Sequence, residues 1–314
     1  MSIVYHYCSI ESFISIISTG TIRASNIQKS NDILEIQNAI DIFTYACNSA
    51  IQSFKKENTN LPYEVSTFFE KWDACSCLQH ILNNNTLIYY CACFTEARDL
   101  LSQWRGYGDN GNGICIGFDD SYFKQLQKSL LFDYRPVNYS FEVAKKEWAS
   151  RTLQNLNALA SKNSSIIDYE NFLWHITSTM VYDTVFYKNS CFFEEKERRL
   201  VYYPFGATPN LLNRNRQIGY NNRFDLFYDK MSNIIDIPTE YANFYIETIN
   251  FAKQGNTIKS YVDINFKNNL PYIIPEIILG PKTEMDDLDL RLFLYKHGID
   301  PRLVKIKKSS VSLQ

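Results

Sequence analysis

The sequence predicts an α+β fold, a compact mixed and antiparallel β core with helical insertions, spanning residues 1–314 as a single domain. Three observations lead to it. Apolar runs of strand length recur along the chain, at 3–8, 86–94 and 197–203 among others. Two long stretches between them, about 32–82 and 140–184, repeat their apolar residues at helical spacing. No linker or composition break marks a seam, and 314 residues with 45% hydrophobic content supply one large core.

Taken in order, residues 3–8 read as a short strand, after which Ser9 offers an N-cap. Ile10, Phe13, Ile14, Ile16 and Ile17 then form one broad helical face that Gly20 terminates, and a second extended run follows over 21–25. A helix is expected to open at Asn31-Asp32, with Glu35 in its first turn where the helix dipole favours an acid, and to reach about Ser53. Polar residues 55–62 read as a loop, 63–82 as a further helix, and Asn83-Asn84-Asn85 as the turn into the strand 86–94. A short helix carrying Leu100, Leu101 and Trp104 leads through a hairpin-like turn with Gly108, Gly111 and Gly113 into another strand. Those glycines resemble a phosphate loop in composition only, since neither the GxGxxG nor the GxxxxGK spacing is present. Trp148, Leu153, Leu156, Leu159, Phe172 and Ile176 make 140–184 helical, with His175 a packed or capped residue. The chain closes with a strand, a turn at Gly280-Pro281-Lys282, a helix over 286–297 and a strand over 302–306.

A net charge of −2 and a pI near 6.1 exclude the general basic field of a protein that lives on DNA or RNA. Local basic patches are left, at Lys196, Arg198, Arg214, Arg216 and Arg223, and in the tail at Lys305, Lys307 and Lys308. The amide-rich loop around 210–224 reads either as a mobile surface loop or as a contact for a nucleotide or macromolecule. No leader pattern and no apolar run long enough for a bilayer are present, so a cytoplasmic protein without a membrane segment is expected. The eight cysteines then read as reduced core residues. Cys75 and Cys77, with Cys91 and Cys93 and His80 between, have one-residue spacing, which does not fit a zinc knuckle, and no metal site is expected.

Residues 192–203, FFEEKERRLVYY, carry the clearest chemical signal. Strand alternation would place Glu195, Glu197 and Arg199 on one face. Such a row is either a solvated ladder of ion pairs or an acid whose charge and direction its neighbours fix.

The order of YHYCSIESFISIISTGTIRASN, Asn31-Asp32 and Glu35, CFTEARDLLSQWRGYGDNGNGICIGF, then Phe192, Glu195, Glu197 and Arg199, and finally IILGPK, resembles the family called domain of unknown function 2971, from Tyr5 to about Lys308. More remotely, His6, the helix 10–18 and Gly20-Thr21-Ile22 resemble ADP-ribosyltransferases of the His-Tyr-Glu kind, including DNA-modifying toxins. That resemblance implies an ADP-ribosyltransferase-like fold with NAD as substrate. His6 would hold a hydroxyl of the nicotinamide ribose. Glu197, or in its place Glu195, would hold the ribose 2′-hydroxyl and stabilise the oxocarbenium-like cation, with Arg199 keeping the acid ionised. Its NAD-contacting set would extend to Tyr7, Ser25, Asn26, Thr95, Trp104, Arg105 and Tyr107, while the stacking tyrosine stays open between Tyr107, Tyr89 and Tyr90. The function expected on this basis is ADP-ribosyl transfer to a nucleic acid or protein, as a toxin or anti-phage effector. Two alternatives stand beside it: a non-catalytic nucleotide-sensing or partner-binding module, and a metal-dependent nuclease using Asp32, Glu35, Glu195 and Glu197.

Overall fold

The computed structural model describes residues 2–27, 33–83, 89–127, 132–202 and 249–313; Asn31, Asp32, the basic residues Arg214, Arg216 and Arg223 and the loop around 210–224 lie outside them, as do the side chains of Glu35 and His80. Strand β1 (Ile3–Cys8) passes into helix α1 (Ile10–Thr19) at Ser9, whose side chain accepts the Ser12 N–H at 3.2 Å. Phe13, Ile16 and Ile17 are the buried face, and Gly20 ends the helix at φ 67°, a conformation that costs glycine nothing. Strand β2 (Thr21–Asn26) follows, then α2 (Ile33–Glu57), one turn longer than its expected end. The helix expected over 63–82 is two, α3 (Tyr63–Lys71) and α4 (Ala74–Asn83), because the Asp73 carboxylate accepts the Cys75 N–H at 3.0 Å and starts a new helix.

Next come β3 (Tyr90–Thr95), α5 (Leu101–Gly106), β4 (Ile114–Asp119), α6 (Asp120–Leu126) and β5 (Phe132–Pro136). The second helical stretch is also divided, into α7 (Phe141–Ala160) and α8 (Ile166–Asp183), where Asp168 accepts both the N–H and the hydroxyl of Ser165 at 2.8 Å. Then follow β6 (Glu197–Tyr202), the hairpin β7 (Ile249–Gln254) and β8 (Thr257–Asn265), α9 (Leu270–Ile273), β9 (Glu276–Leu279), α10 (Asp287–Lys296) and β10 (Lys305–Lys308). The last strand starts later than expected because Asp300 accepts from the backbone and guanidinium of Arg302, holding a turn there.

Among the described residues the strands form one open, mostly antiparallel sheet, ordered β10-β9-β4-β1-β3-β2-β8-β7, with β6 on β3 and β5 on β6. Strand β3 is its fork. Its whole length pairs with β6 on one edge, while the other edge is shared: β2 takes Tyr90 and Cys91, β1 takes Thr95, and residues 92–94 between them have no ladder partner on that side. One face of the sheet holds an apolar core made by Val4, Cys8, Ala92, Phe94, Leu200 and their neighbours under α1, α6, α9 and α10. The opposite face is covered at one end by the helical layer α2, α3, α4, α7 and α8, which packs on Cys91 and Val201, and at the other by Tyr5, Tyr7 and Trp104. Between these two covers lies a polar strip.

Candidate functional site

Register builds the strip. Thr95 faces Glu197, and Cys93 faces Arg199 across the β3–β6 ladder, so these four side chains share one face. Glu195 is not part of the strand, contrary to the expected ladder: it ends the 3-10 segment Ser190–Glu195, and Lys196 at φ 43° turns the chain into β6. Glu195 nevertheless joins the cluster, through Lys188. The Lys188 ammonium donates to Glu195 at 2.6 Å and to Glu197 at 3.2 Å, while Arg199 donates to the two Glu197 oxygens at 2.8 and 3.1 Å and to the Val185 carbonyl at 2.6 Å. The Thr95 hydroxyl donates to the Glu195 carbonyl and accepts the Ala97 N–H, and the Tyr139 hydroxyl accepts the Glu197 N–H at 2.9 Å.

All three charged members of the inner cluster are buried: Glu197 is 7% exposed, Arg199 3% and Lys188 7%. Burial alone would raise the Glu197 carboxyl, but the Arg199 and Lys188 charges and the Arg199 hydrogen bond outweigh it and hold the pKa at about 2. For Glu195 burial, aided by the Glu197 charge, outweighs the Lys188 hydrogen bond and the Lys188 and Arg199 charges, and the carboxyl is raised. Lys188 is held protonated, because the two carboxylates overcome the lowering effect of burial. Tyr107, half exposed in the glycine turn, has its phenol pushed up to about 12 by burial and then by the Glu195 charge, so it lies within electrostatic reach of this cluster. Two carboxylates of different pKa beside one phenol can fix a developing cation with the permanently ionised acid and take a proton with the other.

The other expected contacts are not brought here. His6 donates its Nδ1–H to the Cys93 carbonyl at 3.0 Å, in the gap of the fork, and lies against Phe94. The single β1–β3 pair, Tyr5 with Thr95, places Tyr5 and Tyr7 on the Glu197 face and His6 on the other, with Val4 and Cys8. The expected meeting of His6 with Glu197 is therefore corrected: one residue of register sends an intervening side chain to the opposite face. Burial lowers the His6 pKa, leaving it a neutral group on a strand-edge carbonyl. Tyr7 is likewise occupied, donating to the Ala97 carbonyl at 3.1 Å and accepting the Leu100 N–H.

Trp104 is a core residue rather than a nucleotide platform, fully buried with its indole N–H on Asp99 at 2.7 Å and its ring edge-on to Tyr7. Arg105 is exposed on α5; Asn26 is buried and reaches Ser260 at 3.5 Å; Ser25 is exposed on β2, paired with Cys91. Of the three candidate stacking residues, Tyr89 and Tyr90 are buried in the two cores and Tyr107 alone is open to solvent. Lys188 and Tyr139 escaped the sequence reading; the signal for Lys188 is the sequence YKNSCFFEE, a lysine one short irregular segment before the two acids.

All eight cysteines are free thiols. Among the described residues no group of three or more His, Cys, Asp or Glu is arranged to hold a metal ion, and Glu195 and Glu197 are committed to Lys188 and Arg199. Of the four-acid nuclease set, Glu195 and Glu197 are ion-paired with Lys188 and Arg199, while Asp32 and the side chain of Glu35 lie outside the described residues. No helix among the described residues is long and apolar enough to cross a membrane.

Residues 103–200 match the model of a family described as a protein of unknown function (DUF2971). That segment, roughly a third of the chain, runs from α5 into β6 and contains Tyr107, Tyr139, Lys188, Glu195, Glu197 and Arg199, but not His6. No curated protein and no solved structure matches the chain.

Proposed function

We propose that this protein breaks the nicotinamide–ribose bond of NAD and passes ADP-ribose to a nucleic acid or protein acceptor, with Glu197 and Glu195 as its working acids. The observation that carries the reading is a pair of unlike carboxylates bridged by Lys188: Glu197 kept ionised by Arg199 and Lys188, and Glu195 raised by burial, with Tyr107 within reach of their charge. The more remote resemblance to ADP-ribosyltransferases brings NAD into it. As the glycosidic bond breaks, its electrons leave with nicotinamide, and the positive charge on the ribose is stabilised by the Glu197 carboxylate. The acceptor then bonds to the ribose carbon and gives its proton to Glu195. Tyr107 would stack on the nicotinamide ring. An enzyme that spends NAD or modifies nucleic acid in this way suits a toxin or antiviral effector.

A second reading is favoured by one feature: both Glu197 oxygens are engaged by cations, as in a structural knot beneath a binding surface. On that reading the protein binds NAD or ADP-ribose without turnover. Incubating the purified protein with NAD, and measuring free nicotinamide with and without cellular RNA, DNA and protein, separates the two. Release that Glu197→Gln abolishes and His6→Ala leaves intact supports the first; binding without release supports the second, and neither binding nor release removes both.

A further inference from the structure

A cleft of about 790 Å³ opens beside the carboxylate cluster, lined by Arg135, Val137, Tyr139, Phe186, Tyr187 and Phe193 among others. It forms where the chain leaving β5 runs alongside the segment leaving α8: Asn138 and Tyr187 bridge in parallel, with the Asn138 N–H on the Phe186 carbonyl at 2.7 Å. Four aromatic residues, Tyr139, Phe186, Tyr187 and Phe193, are among those that line it. Phe186 and Tyr187 are buried in the helical-layer core, Tyr187 edge-on to Phe43 with its hydroxyl fixed by the Trp148 indole N–H at 2.8 Å, so the open ring is that of Phe193. Tyr139 stands edge-on to Phe193 at 5.6 Å, and Phe193 is 63% exposed at the mouth, an arrangement that leaves a large apolar ring in water. Tyr139 also separates the cleft from the carboxylates, since its hydroxyl takes the Glu197 N–H.

The charge in the cleft limits what it can take. Among the described residues one guanidinium lines it, that of Arg135, which lies 3.8 Å over the Phe186 ring and is paired with Asp133 at 2.9 Å and Asp183 at 2.6 Å. Among the described residues of the lining, no positive charge beyond this paired one is present to select a phosphate. Ser140, Ser190 and Asn138 supply hydrogen-bonding groups in the lining. We propose that this cleft is a binding site for a neutral, flat heteroaromatic ring of nucleobase size, stacked by one face on the exposed Phe193 ring and held at its edge by the Ser140 and Ser190 hydroxyls and the Asn138 amide. A free nucleoside and an unpaired base of a single-stranded nucleic acid share this chemistry. The inference rests on the cleft alone and does not need NAD turnover.

Titration calorimetry of the full chain with adenosine, uridine, AMP and an unstructured ten-residue oligonucleotide tests it, each repeated with Phe193→Ser and with Ser190→Trp. Both positions are exposed, so these variants fold, and a thermal melt confirms that they do. The expected result is saturable binding in which AMP is no tighter than adenosine and added salt has little effect. Losing one stacking face should weaken it by roughly fivefold or more, and Ser190→Trp should block it. Tighter binding of the oligonucleotide assigns a strand as the source, and equal binding assigns the nucleoside; both support the site. Absence of binding, affinity that follows the phosphate and falls with salt, or binding unchanged in both variants overturns it. Failure of nicotinamide release leaves these outcomes unaltered, so the two readings fail separately.

Discussion

Replacing Glu197 with Gln should change how the stability of this protein depends on pH. The Glu197 carboxyl stands at about 2 in the folded chain, against 4.5 for an ordinary glutamate. Burial works against that displacement, and the Arg199 and Lys188 charges produce it. A carboxyl lowered by folding takes its proton first in the unfolded state, so stability is present in full above about 4.5 and drains away as the pH falls toward 2. Each unit is about 1.4 kcal/mol, which makes the whole displacement about 3 kcal/mol, of which about 2 kcal/mol is lost by pH 3. With the side chain 8% exposed, little of this is screened by solvent. Glu195 moves in the other direction, raised by burial, so its share must be removed by comparing variant with wild type rather than reading one curve. Urea denaturation at pH 7, 5, 4 and 3 would measure the gap between the two proteins. That gap should narrow by about 2 kcal/mol between pH 5 and 3; parallel curves would show that Glu197 carries no depressed pKa and that the clamp is not an electrostatic one.

Arg199→Met should cost about 3–5 kcal/mol at pH 7, since it strands a buried carboxylate, and a cycle with Glu197→Gln should show coupling well above 0.5 kcal/mol. Additive losses would mean that the two side chains do not act as a pair. Tyr107→Ala should leave chemical stability within about 0.5 kcal/mol, because the ring is half exposed, and should lower nicotinamide release at least tenfold if the NAD reading holds. An unchanged rate would remove Tyr107 from the site. Gly113→Ala should prevent folding, as judged by circular dichroism: the added carbon would lie 2.1 Å from the Cys8 carbonyl oxygen and 2.8 Å from that of Gly108, and neither backbone can retreat. A folded, stable variant would show that the glycine turn is less tightly packed than this geometry requires.

Much of the local structure was legible in the sequence, because its causes are local. Ser9 and Gly20 delimit α1 by capping and by a left-handed backbone, and the apolar spacing of 140–184 marks a helical layer. The breaks at Asp73 and Ser165 were missed, since a polar side chain that caps a new helix looks the same in sequence as one on a continuous helical surface. Alternation correctly grouped Glu197 with Arg199, yet it could not say that Lys196 would turn left-handed and that Glu195 would return only through Lys188.

What the sequence determined by itself is α1 with its caps, the helical character of 140–184 and the grouping of Glu197 with Arg199, which depend on spacings of two to four residues. Which strand lies beside which, and in what register, was decided only by the tertiary structure. A shift of one residue in the β1–β3 pairing is invisible in the sequence, but it reverses the face on which a side chain emerges. That is why Tyr5 and Tyr7 emerge on the face where Thr95 meets Glu197, while His6, on its own strand as expected, emerges on the other face beside Phe94.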